Sequence, residues 1–193
     1  MLNIFILIST VLALISPIVY SVAILRGEAK PHRTTRFVLL LITSLTTLSL
    51  FAQGNRVAIY LAGVSTLQSI IVFILSIKYG MGGWSKSDII CLVFALIGII
   101  LWRITKNPVV ALYFAIGADF IGMIPAIIKT YHFPETEIWL FFALDVLAAI
   151  FSLLALEKWT LEEFSYPIYI MLINLIMVLL ILVRPKRLFN KKS

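Results

Sequence analysis

The sequence predicts an all-α integral membrane protein whose seven transmembrane helices form two parallel three-helix bundles and a linker helix, a 3+1+3 arrangement. Apolar residues make up 62% of the 193 residues and charged residues only 13%, which leaves too little polar surface to cover a water-soluble globule. Seven apolar runs approach the length needed to cross a hydrocarbon core, about 20 helical residues. The last three runs repeat features of the first three, and this repeat predicts the two bundles.

The seven apolar runs follow one another with short connections, so no segment is left for a separate water-soluble domain. The first run has no basic residue before it and is longer than the apolar part of a signal peptide, so we expect it to be retained as a span. The runs cover residues 3–25, 35–53, 57–77, 87–104, 108–129, 137–156 and 163–183.

Lysine and arginine are distributed unequally between the two ends of these spans. One end carries twelve of them and the other four. Because cytoplasmic loops are enriched in these residues, we expect a multi-pass protein of the cell membrane with its N-terminus outside and its C-terminus in the cytoplasm. The twelve are Arg26, Lys30, Arg33, Arg36, Lys78, Lys86, Lys129, Arg184, Lys186, Arg187, Lys191 and Lys192; the four are Arg56, Arg103, Lys106 and Lys158.

The net charge of +7 is explained by basic loops and a basic tail beside anionic lipid headgroups, so we expect a lipid bilayer and no nucleic acid as partner. The single cysteine, Cys91, excludes an intramolecular disulfide. No phosphate-binding glycine pattern occurs, and the two histidines have no metal-ligand spacing. We therefore expect neither a cofactor nor a metal, and no enzymatic activity.

The internal repeat is visible when the first three runs are slid along the last three. Each alignment is weak in identity but pairs residues that are unusual in an apolar span. The pairs are Gln68 with Asn174 at a shift of 106 residues, Thr43 with Asp145 at a shift of 102, and Pro17 with Pro125 at a shift of 108.

Two three-helix units of the same orientation need an odd number of helices between them, because each unit starts on one face of the membrane and ends on the other. The fourth run supplies that crossing. We therefore assign residues 1–83 to the first bundle, residues 84–106 to the linker helix, and residues 107–193 to the second bundle with its basic cytoplasmic tail.

The heptapeptide PAIIKTY, Pro125 to Tyr131, ends the fifth span and precedes a short polar loop. It resembles the PQ-loop signature of the PQ-loop and SWEET transporters, with Ala126 in place of the glutamine. Those proteins have two triple-helix bundles, a linker helix, an outside N-terminus and a central solute pathway, so the resemblance implies the same here. Asn174 resembles a pocket asparagine of SWEET transporters. Vitamin transporters of the PnuC type share a similar architecture and are the alternative family.

Polar residues near the middle of the spans are the candidate binding residues. An ionised carboxylate at this depth costs at least about 2.5 kcal/mol on insertion scales, unless it faces water, has a partner or takes up a proton. We expect the carboxyls to bond solute hydroxyls or to carry a proton. The candidates are Asp119, Asp145, Gln68, Asn174 and the helix face of Thr43, Thr46 and Thr47.

Each of these residues also has a purely structural interpretation. Threonines in membrane helices often donate to a carbonyl one turn back, and Gln68 and Asn174 can bond neighbouring helices. Pro17 and Pro125 are predicted as paired hinges, although such prolines can also be kinks fixed by packing. Tyr166 lies near a span end, where the interfacial aromatic belt explains it.

The predicted function is transport of a small polar solute, such as a sugar, an amino acid or a vitamin, by alternating access between the bundles. Proton coupling is left open. The alternative is a non-transporting membrane protein, such as a receptor, a sorting factor or an assembly factor. Such a protein is expected to seal its centre with apolar packing, whereas this chain places polar groups there.

Overall fold

The computed structural model describes residues 4–27, 31, 33–80, 85–134 and 137–183. Within these ranges the chain forms seven helices and no strand, which confirms the predicted all-α class. The basic tail, residues 184–193, lies outside the described residues, as does Lys30. The helices are α1 Ile4–Leu25, α2 Arg33–Ala52, α3 Ala58–Tyr79, α4 Lys86–Thr105, α5 Pro108–His132, α6 Trp139–Leu154 and α7 Leu161–Val183.

The helices are those of an integral membrane protein. In the described part of the chain, six are long and apolar enough to cross a membrane, and α6 is shorter at 16 residues. That length corresponds to about 24 Å. Large apolar side chains cover the outer surface; Phe51 is 71% exposed and Val183 is 74% exposed. Such a surface is stable against lipid and not against water.

The contacts of α3 with α1 and α2 recur in those of α7 with α5 and α6. α3 packs against both α1 and α2, and α7 packs against both α5 and α6. In addition, α1 packs on α6, α2 on α5 and α3 on α7. These contacts are unchanged when α1, α2 and α3 are exchanged for α5, α6 and α7; the additional contact of α3 with α6 has no counterpart among the described residues. α4 packs on α5 and α2.

The contact of α4 with α5 depends on glycine. A Cβ atom placed on Gly98 would lie 2.7 Å from the Cβ of Phe114, a distance that side chains do not adopt. One on Gly122 would lie 3.4 Å from the Cys91 sulfur. Small residues therefore let these helices approach closely, as is common in membrane proteins.

The buried positions of α2 and α3 recur in α6 and α7. The sequence shifts at which they recur differ by one residue from the predicted shifts. For α3 and α7, four of the six buried positions in each helix coincide at a shift of 105 residues, because 166 minus 61 is 105. These positions are Leu61, Ala62, Val72 and Ser76 in α3 and Tyr166, Pro167, Met177 and Ile181 in α7.

For α2 and α6, five of the six buried positions in each helix coincide at a shift of 103, because 141 minus 38 is 103. They are Val38, Leu45, Thr46, Ser49 and Leu50 in α2 and Phe141, Ala148, Ala149, Ser152 and Leu153 in α6. The predicted shifts of 106 and 102 pair polar side chains with one another. The shifts of 105 and 103 pair the buried faces of the helices instead. By burial, Asn174 corresponds to Ser69 and Asp145 to Ile42.

Candidate functional site

A cavity of about 410 Å³ lies among six of the described helices. Each of α1, α2, α3, α5, α6 and α7 contributes side chains to its wall, whereas no described residue of α4 does. This volume falls within the usual range of small-molecule sites, about 300 to 1,000 Å³. The packing of these six helices therefore leaves room for a small molecule.

The cavity extends from the middle of the helices to one end of the molecule. Pro31, Arg36 and Glu137, which lie at the α1–α2 and α5–α6 connections, line that end. Toward the opposite end the wall reaches Leu61 and Tyr166. There a hydrophobic cluster fills the space between the helices; its buried members are Ala13, Leu50, Ala58, Leu61, Ala62, Val64, Leu112, Ala148, Ala149 and Tyr166.

Six of the seven predicted binding residues line the cavity, drawn from five helices. They are Thr43 and Thr46 of α2, Gln68 of α3, Asp119 of α5, Asp145 of α6 and Asn174 of α7.

Thr47 does not line the cavity. Its hydroxyl lies 2.8 Å from the hydroxyl of Thr66, which also donates to the Thr43 carbonyl oxygen at 3.0 Å. The structure thus places Thr47 at the contact of α2 with α3, on the edge of the predicted face, where it holds two helices together.

The two carboxyls enter the cavity from helices that flank α7. Tyr169 donates a hydrogen bond to Oδ2 of Asp119. The Ser16 hydroxyl of α1 donates to the Phe141 carbonyl oxygen of α6 at 3.4 Å, one helical turn from Asp145. Tyr166 lies within electrostatic reach of both carboxyls. Asp119 therefore has a hydroxyl partner from another helix.

Sequence reasoning missed the tyrosines of α7. Tyr166 is only 4% exposed and donates to the Ser65 hydroxyl at 3.2 Å, so its interpretation as an interfacial aromatic is wrong. A signal was present in the spacing, because residues at i, i+3, i+4, i+7 and i+8 share one face of a helix. Tyr166, Tyr169, Ile170, Ile173 and Asn174 have that spacing, and all five line the cavity.

The polar groups of α2 and α7 are partly used within their own helices. Thr43 donates to the Leu40 carbonyl oxygen at 3.2 Å, and Thr46 to that of Ile42 at 3.0 Å. The Asn174 amide nitrogen donates to the Ile170 carbonyl oxygen at 2.8 Å.

The two predicted hinge prolines lie inside helices but in unequal surroundings. Pro17 is buried within α1, whereas Pro125 is exposed on α5, and neither lines the cavity. A third proline inside a helix, Pro167 of α7, is fully buried. A proline inside a helix removes one backbone hydrogen bond, so all three helices have a weakened point.

In the residues that the structure describes, no group of three or more His, Cys, Asp or Glu side chains is arranged to hold a metal ion. Cys91 is buried. A scan against protein-family models and searches of curated proteins and of solved structures find no match to the chain.

Proposed function

We propose that this protein is a membrane transporter that moves a small polar solute by alternating access between two helical bundles, α1–α3 and α5–α7, with α4 as linker. The observation that carries the proposal is the cavity with polar groups in its largely apolar wall, because both proposed bundles contribute to that wall. The exchange symmetry of the helix contacts and the repeated burial pattern support the 3+1+3 arrangement. Solute sites between repeated bundles are typical of transporters.

Alternating access would use the contacts between the bundles. α1 packs on α6 and α2 packs on α5, so a rocking motion at these two contacts would open one end while closing the other. The closed end is held by the hydrophobic cluster around Leu61 and by the hydrogen bond from Tyr166 to Ser65, which joins α3 to α7. Opening there requires this bond to break. Pro17 and Pro125 are the proposed hinges.

The charge distribution supports an orientation for this cavity. With the N-terminus outside, the end lined by Arg36 and Glu137 faces the cytoplasm. The conformation described here is then the one that faces inward. Asp119 is the proposed site for a coupling proton, because it lies near the middle of α5 and lines the cavity.

Uptake into proteoliposomes tests the proposal, using a panel of sugars, amino acids and vitamins with and without a pH gradient. We expect uptake of at least one solute above protein-free liposomes, and we expect Asn174→Ala to reduce it. Asn107→Ala is the matched control, since Asn107 is exposed between α4 and α5, away from the cavity.

Absence of uptake for the whole panel would contradict the proposal, as would equal uptake by the wild type and Asn174→Ala. If uptake depends on the pH gradient, Asp119→Asn should abolish accumulation and leave exchange of solute intact, because the amide keeps the shape and loses the titration.

A further inference from the structure

Three hydroxyl groups around the middle of the cavity present acceptors to it, whereas the hydroxyl of Ser69 has no partner among the described residues and can also donate. A hydroxyl has one proton to donate and two lone pairs. The protons of Thr43, Thr46 and Ser65 are donated to carbonyl oxygens of their own helices, at 3.2, 3.0 and 3.0 Å. The remaining lone pairs of these oxygens can only accept hydrogen bonds.

Asn174 presents an acceptor in the same way. It is 7% exposed and lines the cavity. Its amide nitrogen donates to the Ile170 carbonyl oxygen, which fixes the orientation of the side chain. Among the described residues the side-chain carbonyl oxygen of Asn174 accepts no hydrogen bond. This buried acceptor can therefore bind a donor in the cavity.

The tyrosine protons at this depth are also committed. Tyr166 donates to Ser65 and Tyr169 donates to Asp119. The amide of Gln68 has no hydrogen-bond partner in the described part of the chain, and it supplies both a donor and an acceptor. The wall is therefore richer in acceptors than in donors.

The cavity also has an imbalance of charge. Asp119 and Asp145 line its middle, whereas the one lysine or arginine among its described lining residues is Arg36, at the end near the connections. Arg36 donates to the Tyr20 hydroxyl at 2.7 Å and its guanidinium lies 5.0 Å from the centre of that ring. No basic side chain of the wall is thus placed to neutralise the carboxyls at mid-depth.

We propose that the solute is a small organic cation whose ammonium or guanidinium group binds against Asp145, with the Asn174 carbonyl oxygen as a further acceptor. Such a group brings only donors, which suits a wall richer in acceptors than in donors, and its charge offsets the cost of an ionised carboxylate in the membrane. Phe141, Phe142 and Tyr166 supply aromatic surface for the rest of the solute. This inference rests on the proposed function for the identity of the site and names the solute class.

Pairs of probes with the same shape and different charge test the inference. Butylguanidine is compared with butylurea, and benzylamine with benzyl alcohol, by calorimetry and thermal shift on the purified full-length protein. We expect each cation to bind about tenfold or more tightly than its neutral partner, as one ion pair in a desolvated site supplies. Equal binding within the pairs, or no binding of either cation, would overturn the inference.

Variants locate the site. Asp145→Asn should remove the preference for the cation, and Asp145→Glu should keep it because the charge is kept. Glu162→Gln is the matched control, since Glu162 is exposed at the start of α7, and it should bind like the wild type. A preference unchanged in Asp145→Asn overturns the assignment. If that variant does not fold, the comparison of charged and neutral probes on the wild type still decides.

Failure of this inference and failure of the transport proposal have different signatures. Uptake of neutral solutes, with no binding or competition by the cations, would leave transport standing and reject the cation site. Selective binding of the cations in detergent, without uptake of any solute by proteoliposomes, would leave the site standing and reject transport.

Discussion

At the scale of single residues, the site is defined by polar side chains that face the interior of a protein whose outer surface is apolar. Asp119 and Asp145 could be found from the sequence because a carboxylate within an apolar run is rare and costly. Tyr166 could not be recognised by its composition, because tyrosine is equally common at membrane interfaces. Its role follows from the face that it shares with Tyr169 and Asn174.

The hydrogen bond from Tyr166 to Ser65 is expected to stabilise the conformation described here. Tyr166→Phe removes the donor and should lower the free energy of unfolding by about 1 kcal/mol. Ser65→Ala should have a similar effect, and the double variant should cost less than the sum, since the two groups form one bond. The midpoint of thermal unfolding in detergent measures each effect.

Tyr60→Phe is the control for this series. Tyr60 is exposed on α3, and its hydroxyl has no hydrogen-bond partner among the described residues. Its melting temperature should match the wild type. Strict additivity of Tyr166→Phe and Ser65→Ala would show that the bond does not contribute.

At the scale of helices, the sequence predicts where each helix begins and ends better than it predicts which helices pack together. The apolar runs identify all seven helices to within a few residues, because a helix is the means by which an isolated segment satisfies its backbone in lipid. The pairing of α4 with α5 was not predicted. It depends on where Gly98 and Phe114 meet in space, and no local pattern specifies that position.

The close approach of α4 to α5 makes Gly98 sensitive to a single methyl group. Gly98→Ala places a carbon 2.7 Å from the Phe114 Cβ, which cannot move without its backbone. We expect a loss of about 1 to 3 kcal/mol in stability, the usual cost of overpacking. Thermal unfolding of the purified protein measures it.

Gly63→Ala makes the same chemical change within α3 and is the matched control. No atom outside its own helix neighbourhood lies within 4 Å of a Cβ built there. It should be neutral, or slightly stabilising through helix propensity. Equal effects of the two substitutions would contradict close packing at Gly98.

At the scale of the whole molecule, most of the predicted binding residues line the cavity, but they are a minority of its wall. Six of seven candidates face one cavity, because polar residues in membrane spans point away from lipid. Thr47 was misplaced because a helix face is about 100° wide, and its edge meets α3. The sequence predicts the repeat from pairs of polar residues, whereas the structure aligns the repeats by their buried faces. Two of the predicted shifts, 106 and 102, therefore differ by one residue from the shifts of 105 and 103 that burial gives.

The orientation in the membrane is tested by cysteine labelling of intact cells with an impermeant reagent. Arg56→Cys lies on an exposed turn between α2 and α3 and should be labelled from outside. Arg26→Cys lies on the exposed turn after α1 and should react only after permeabilisation. The reverse pattern would contradict the predicted topology.

The central claim is that the cavity alternates between the two sides of the membrane, and the accessibility of Ser69 tests it most directly. Ser69 lines the cavity, and the wild type is the unlabelled control because its single cysteine, Cys91, is buried. Ser69→Cys is exposed to an impermeant thiol reagent in right-side-out and in inside-out vesicles. Alternating access predicts labelling in both vesicle orientations. Labelling in one orientation alone would show a cavity that opens to only one side of the membrane, and would contradict alternating access.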